Sequence, residues 1–216
     1  MPTVSDPRPG SKLLDLVAVM DRLRSPGGCP WDAQQTHTSL LKYLVEESYE
    51  VVDAVENGTR AELRDELGDL LLQVVFHARV AQEDGAEPFG IDDVAEAIVT
   101  KLERRHPHVF AGEAVAEDLQ AGWDAIKATE KPRESVLDGI PLQLPALARA
   151  DKVLGRLQRN GLDEPVEAEA TPEEVGEELL RVVRRAHAAG VDPEAALRTV
   201  TRRLESAARE RERPAG

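Results

Sequence analysis

Two helical periodicities meet at Asn57-Gly58-Thr59, and the acidic residues they carry stand at matched distances from that turn. Asn57-Gly58 suits a left-handed helix C-cap, and Thr59 with Glu62 has the spacing of a capping box, so the chain is expected to reverse here into an antiparallel helix hairpin. Glu50 lies eight residues before Gly58 and Glu66 eight after; Glu47 and Asp69 lie eleven before and eleven after. At about 1.5 Å rise per residue, the two pairs face each other roughly 12 and 16 Å from the bend. Carboxylates gathered in this way must protonate, pair with cations or bind a metal ion.

Apolar residues frame these acids. On the first helix Leu41, Leu44, Val45, Ser48, Val52 and Val55 make one stripe, with Tyr43, Val51 and Ala54 beside Glu47 and Glu50. On the second, Leu70 to Phe76 is apolar nearly all round, which predicts burial on several sides, and Gly68 allows another chain to approach. Metal binding is the favoured reading. Oxygen donors without a Cys/His cluster favour Mg²⁺ or Mn²⁺ over zinc, and Mg²⁺ typically joins a few carboxylates to substrate phosphates.

The remaining chain is read as all-α, because helical spacing dominates and alternating β-branched runs are few. Expected helices span 11–24, 39–56, 60–83, 92–105, 119–130, 147–159, 172–189 and 193–211. The prolines between 131 and 145 suggest a connector, giving a first domain at 11–131, a linker at 132–146 and a second helical region at 147–213. A faint internal repeat aligns Glu66-Leu67-Gly68-Asp69 with Glu174-Val175-Gly176-Glu177. The second copy is truncated, with no room for a counterpart of the helix bearing Glu46, Glu47 and Glu50.

Composition narrows the function. A formal charge of −14 argues against binding a nucleic-acid polymer, and no apolar run reaches the length of a membrane span. The single cysteine, Cys29, cannot form an internal disulfide, and the polar start lacks a signal-peptide pattern, so a cytoplasmic protein is expected. His77, inside the apolar helix, is expected as a satisfied core residue. A hairpin with apolar surface on several sides needs further helices, so a homodimer is expected, with the site at or near the subunit contact.

Longer motifs carry a resemblance. Glu46-Glu47-Ser48-Tyr49-Glu50 and Glu66-Leu67-Gly68-Asp69 are accompanied by Gly28-Cys29-Pro30-Trp31-Asp32, Gln35-Thr36-His37 and the run from Lys101 to Phe110. Over roughly residues 11 to 160 the chain resembles the MazG family of nucleoside triphosphate pyrophosphohydrolases. That resemblance implies a MazG-like all-α bundle, usually dimeric, which hydrolyses NTPs and dNTPs to the monophosphate and pyrophosphate with Mg²⁺. Glu47, Glu50, Glu66 and Asp69 would be the metal ligands, and Glu46 would orient or deprotonate water. Lys101 and Arg105 would contact the phosphates, and Trp123 would pack near the base. Whether Glu46, Glu47 or Glu50 is the base stays open. The truncated second copy leaves an alternative: a catalytically impaired module that senses nucleotides or docks a partner.

Overall fold

A computed structural model describes residues 10–112, 114, 134–163 and 169–212. Every regular element among them is a helix: α1 Ser11–Arg24, α2 Pro30–Gln34, α3 His37–Glu56, α4 Arg60–Ala81, α5 Ile91–Arg105, α6 Pro107–Phe110, α7 Ala146–Arg159, α8 Pro172–Ala188 and α9 Pro193–Glu212. The expected all-α class is therefore observed. The short α2 and α6 were not among the expected helices; each begins at a proline, which suits a first helical position. The expected helix at 119–130 lies outside the described residues.

The chain divides into two compact units, Met1–Glu117 and Asp118–Gly216. In the first, α3 and α4 form the expected hairpin. Capping boxes open both helices: Thr36 with Ser39, and Thr59 with Glu62, whose carboxylate accepts the Thr59 N–H at 2.7 Å. The turn differs from expectation in one respect. Asn57 has φ −128°, and Gly58 is not among the glycines with positive φ. Gly58 is needed for closeness instead, since a Cβ there would sit 2.8 Å from the Ala54 carbonyl oxygen, which accepts the Gly58 N–H.

The core of this unit joins Met20 of α1, Leu40 of α3 and Val75 and Phe76 of α4, with Leu16, Val17, Tyr43, Leu72, Val80 and Ile91 around them. Trp31 on α2 sets its ring edge-on to Tyr43 and Phe76, at 5.9 and 6.5 Å between centroids. The loop before α2 is tight. The Cys29 N–H donates to the Leu23 carbonyl at 2.7 Å, and a Cβ on Gly28 would lie 2.2 Å from that same oxygen. Arg24 ties the corner together. Its buried guanidinium donates to both carboxylate oxygens of Glu83 and to the carbonyls of Asp32 and Gln35. Arg79 adds bonds to Asp21 and Glu83.

Other apolar residues face outward. Val45, Tyr49, Val52 and Val55 on α3 and Leu67, Leu71 and Val74 on α4 are all exposed. The apolar run on α4 is buried on several sides, as expected, because α4 packs against α1, α3 and α5; Gln73, Val75, Phe76, Ala78 and Ala81 are buried around the helix, and Leu71 and Val74 stay exposed. The missing Cβ of Gly68 has no neighbour within 4 Å.

His77 departs from the reading of a satisfied core residue. Its Nδ1 lies 2.7 Å from Nδ1 of His37, and the rings are 9° from coplanar with centroids 5.0 Å apart. Parallel rings stacked face to face at 5.0 Å would not bring two nitrogens that close, so the rings meet tip to tip through an N–H···N hydrogen bond. Nε2 of His77 is buried and finds no partner among the described residues. Burial, then His37, holds the His77 pKa below its usual value.

In the second unit, α7 pairs with α9 around Val153, Leu157 and Ala208, and Leu137 and Ile140 from the segment before α7 complete that core. The buried Arg149 donates to both carboxylate oxygens of Glu205, at 2.9 and 2.8 Å, and to the Pro141 carbonyl at 2.6 Å.

Candidate functional site

The α3–α4 hairpin fixes the acidic residues before any ligand is considered. Because both helices are capped at their starts and joined by a three-residue turn, Glu47 and Glu50 on α3 are brought opposite Glu66 and Asp69 on α4. One carboxylate oxygen from each of Glu47, Glu66 and Asp69 lies within 4.8 Å of the others. Glu50 completes the group, sharing a hydrogen bond with Glu47 and acting electrostatically on Glu66. Glu47 and Glu66 are half-buried, while Glu50 and Asp69 are exposed.

Electrostatics set this cluster apart from a solvated acidic face. The Glu47 carboxyl is pushed up to about 7, first by burial, then by its hydrogen bond to Glu50 and by the charges of Asp69, Glu50 and Glu46. Glu66 is also raised, first by burial and then by its acidic neighbours, Glu50 foremost. Glu46, Glu50, Glu62, Asp65 and Asp69 supply the negative charge that acts on these two carboxyls. The donor set is hard oxygen throughout, which suits a divalent cation with a preference for oxygen. The residues present therefore fit a metal ion held by Glu47, Glu66 and Asp69, with Glu50 within reach.

A pH dependence follows. In the folded chain Glu47 keeps its proton up to about pH 7, whereas a free carboxyl releases it near 4.5. Folding then takes up a proton between those values, so in metal-free buffer this group lowers stability as pH rises from about 4.5 to 7 and contributes no slope beyond. The His77 shift has the opposite sign, since a lowered pKa makes folding release a proton and stability rise with pH. Urea midpoints of the wild type and Glu47→Gln compared across this window isolate the Glu47 contribution, and parallel curves would refute it.

Of the other sequence candidates, Glu46, Lys101 and Arg105 lie among the described residues. Glu46 is exposed on α3 and acts on Glu47 through its charge. Lys101, exposed, and Arg105, half-buried, lie on α5 and not on the hairpin. Trp123 lies outside the described residues. In the second unit Glu174, the repeat's counterpart of Glu66, is a capping residue: its carboxylate accepts the Thr171 N–H at 2.8 Å and hydroxyl at 2.9 Å. The capping interaction also holds its carboxyl below the usual range. The sequence reading missed Arg24 and the His37–His77 bond, whose partners stand 59 and 40 residues apart and leave no local signal.

Comparison with known proteins agrees with this hairpin. Residues 35–110, which contain all four acids, match the MazG nucleotide pyrophosphohydrolase domain. The nucleoside triphosphate pyrophosphohydrolase of Mycobacterium tuberculosis is 52% identical over 158 residues, covering 73% of this chain and 48% of that protein. The Escherichia coli K12 protein of the same name is 48% identical over 154 residues, covering 68% of this chain and 58% of the relative. The chain thus spans about half the length of these relatives. The nucleoside triphosphate pyrophosphohydrolase/pyrophosphatase MazG of Thermotoga maritima is 40% identical over 211 residues, covering 88% of this chain and 81% of that protein. Sequence similarity that runs nearly the length of the Thermotoga protein, with the acidic hairpin inside the matched domain, shows that the chain belongs to the MazG nucleotide pyrophosphohydrolase family.

Proposed function

We propose that this chain is a nucleoside triphosphate pyrophosphohydrolase that releases pyrophosphate and a nucleoside monophosphate, acting on NTPs and dNTPs with Mg²⁺, or Mn²⁺, as cofactor. The observation that carries this reading is the convergence of Glu47, Glu66 and Asp69 within 4.8 Å, with Glu50 bonded to Glu47, inside a MazG domain. Glu47, Glu50, Glu66 and Asp69 hold the divalent ion. When bound, such an ion lowers the pKa of coordinated water and neutralises charge developing on departing phosphates. One of Glu46, Glu47 and Glu50 takes the proton of the attacking water. Lys101 and Arg105 hold phosphate oxygens, Arg105 through the forked geometry of its guanidinium. Trp123 packs near the base.

On this reading residues 11–131 form the catalytic domain, 132–146 the linker and 147–213 a truncated second copy. The enzyme works in the cytoplasm as a homodimer, and the exposed apolar residues of the hairpin, Val45, Val52, Val55, Leu67, Leu71 and Val74, supply the contact. No membrane or nucleic-acid polymer is a partner. Among the described residues no helix is long and apolar enough to cross a membrane.

Incubation with each of the eight NTPs and dNTPs, with Mg²⁺ or Mn²⁺, is the test. Monophosphate and pyrophosphate in equal amounts are the expected products. Absence of pyrophosphate with every nucleotide and either metal would overturn the reading in favour of a nucleotide-sensing or partner-docking module.

A further inference from the structure

Helix α8 covers seventeen residues, Pro172–Ala188, yet none of them is buried. Its capping box at Thr171 and Glu174 fixes where it starts. Isolated helices of this length are marginal in water, so the apolar side of α8 calls for a cover. That side is continuous: Val175, Leu179, Val182 and Ala186 follow a four-three-four spacing, the seam of a two-helix coil. Val175, Leu179 and Val182 are 46%, 41% and 46% exposed, and Ala186, at the end of α8 that leads into α9, is half-buried.

The charges on α8 select the occupant. Glu173, Glu174, Glu177 and Glu178 fill its first half, and Arg181, Arg184 and Arg185 its second. Reversed against itself, the helix sets acid against base. With Val175 layered on Ala186 of a second copy and Leu179 on its Val182, Glu178 at the edge of the seam meets Arg185 of that copy, and the two-fold axis repeats the pair. On the opposite edge Gly176 meets Val183, small against large. A parallel pairing would instead set Glu178 against an apolar Val183 and bring the two acidic halves together. We propose that α8 is a self-association element that pairs antiparallel with α8 of a second copy of this chain. The pairing is independent of the hairpin contact and of catalysis.

The test uses the full chain with Cys29→Ser, which removes its one cysteine, and adds Val175→Cys with Ala186→Cys. Within one helix these positions lie about 16 Å apart, beyond the reach of a disulfide, which needs Cα atoms within about 7 Å. In the antiparallel pair each cysteine meets the other one across the seam. Mild oxidation is expected to give a covalent dimer from the double-cysteine chain at least tenfold faster than from either single-cysteine chain. Adding Glu178→Arg should slow linkage several-fold by setting two guanidinium groups against each other at the edge of the seam, and adding Arg185→Glu as well should restore it.

Equal linkage of the single-cysteine chains would mean parallel or unspecific contact and overturns the proposal. No dimer from the double-cysteine chain would mean that α8 is covered by its own chain or by another protein, and also overturns it. Failure of the reversed charges to restore the rate removes the proposed register. Nucleotide hydrolysis by the unmodified chain is unaffected by any of these results, so the two readings stand or fall separately.

Discussion

Glu47→Gln is expected to reduce pyrophosphate release about a thousandfold, equivalent to roughly 4 kcal/mol of barrier, while leaving the helix content unchanged. The substitution keeps the volume and the hydrogen-bonding reach to Glu50 but removes the carboxylate that burial and the charges of Asp69, Glu50 and Glu46 push up to about 7. Because an ionised Glu47 is disfavoured in that company, the metal-free variant should also be more stable above pH 7, by a few degrees in melting temperature. Loss of turnover with gain of stability separates a ligand from a structural residue. Calorimetric titration with Mn²⁺ should show weaker uptake by the variant. Wild-type turnover in Glu47→Gln would remove this residue from the site, and a lower metal-free melting temperature would show that the acids do not repel one another as described.

Arg24→Ala should produce the largest loss of stability, about 2–4 kcal/mol. Its guanidinium is buried and makes four hydrogen bonds, two to Glu83 and two to the carbonyls of Asp32 and Gln35. Glu83 is nearly half exposed and regains water, so that bond is the smaller part of the cost. The two partly buried carbonyls lose their donor at about 1–3 kcal/mol each, softened where water enters. Arg24→Lys should be intermediate, since an ammonium cannot reproduce the fork.

Acid titration gives an independent check on this corner. Arg24, through its hydrogen bonds first, holds the Glu83 carboxyl below its usual 4.5. A lowered folded-state pKa gives stability that is present above about pH 4.5 and lost as pH falls through the lowered value. In Arg24→Ala that acid-sensitive part should shrink, with the portion due to Arg79 remaining. A urea midpoint within experimental error of wild type at neutral pH would show that the α1–α2 corner does not depend on Arg24.

Much of the hairpin could be read without coordinates. Helix α1 begins and ends at the expected residues, and α3, α4 and α5 start within two residues of expectation. Their limits are local: Thr59 and Glu62 cap α4 from three residues apart, and helical rise alone brings acids eight and eleven residues from Gly58 face to face. The role of Gly58 was harder to see. A glycine after a helix serves a left-handed cap or a close backbone approach equally well, and only the position of the Ala54 carbonyl decides between them.

The sequence by itself determined the acidic hairpin and its register, because caps, helical periodicity and chain reversal act between residues a few positions apart. Tertiary structure decided which apolar stripe turned inward, that Met20, Leu40, Val75 and Phe76 form a core while Val45, Val52 and Val55 stay exposed, and that Arg24 and His77 find Glu83 and His37. Those choices join helices distant in sequence. An amphipathic pattern tells a helix that it has an apolar side, but only packing against particular neighbours selects which part of it is covered.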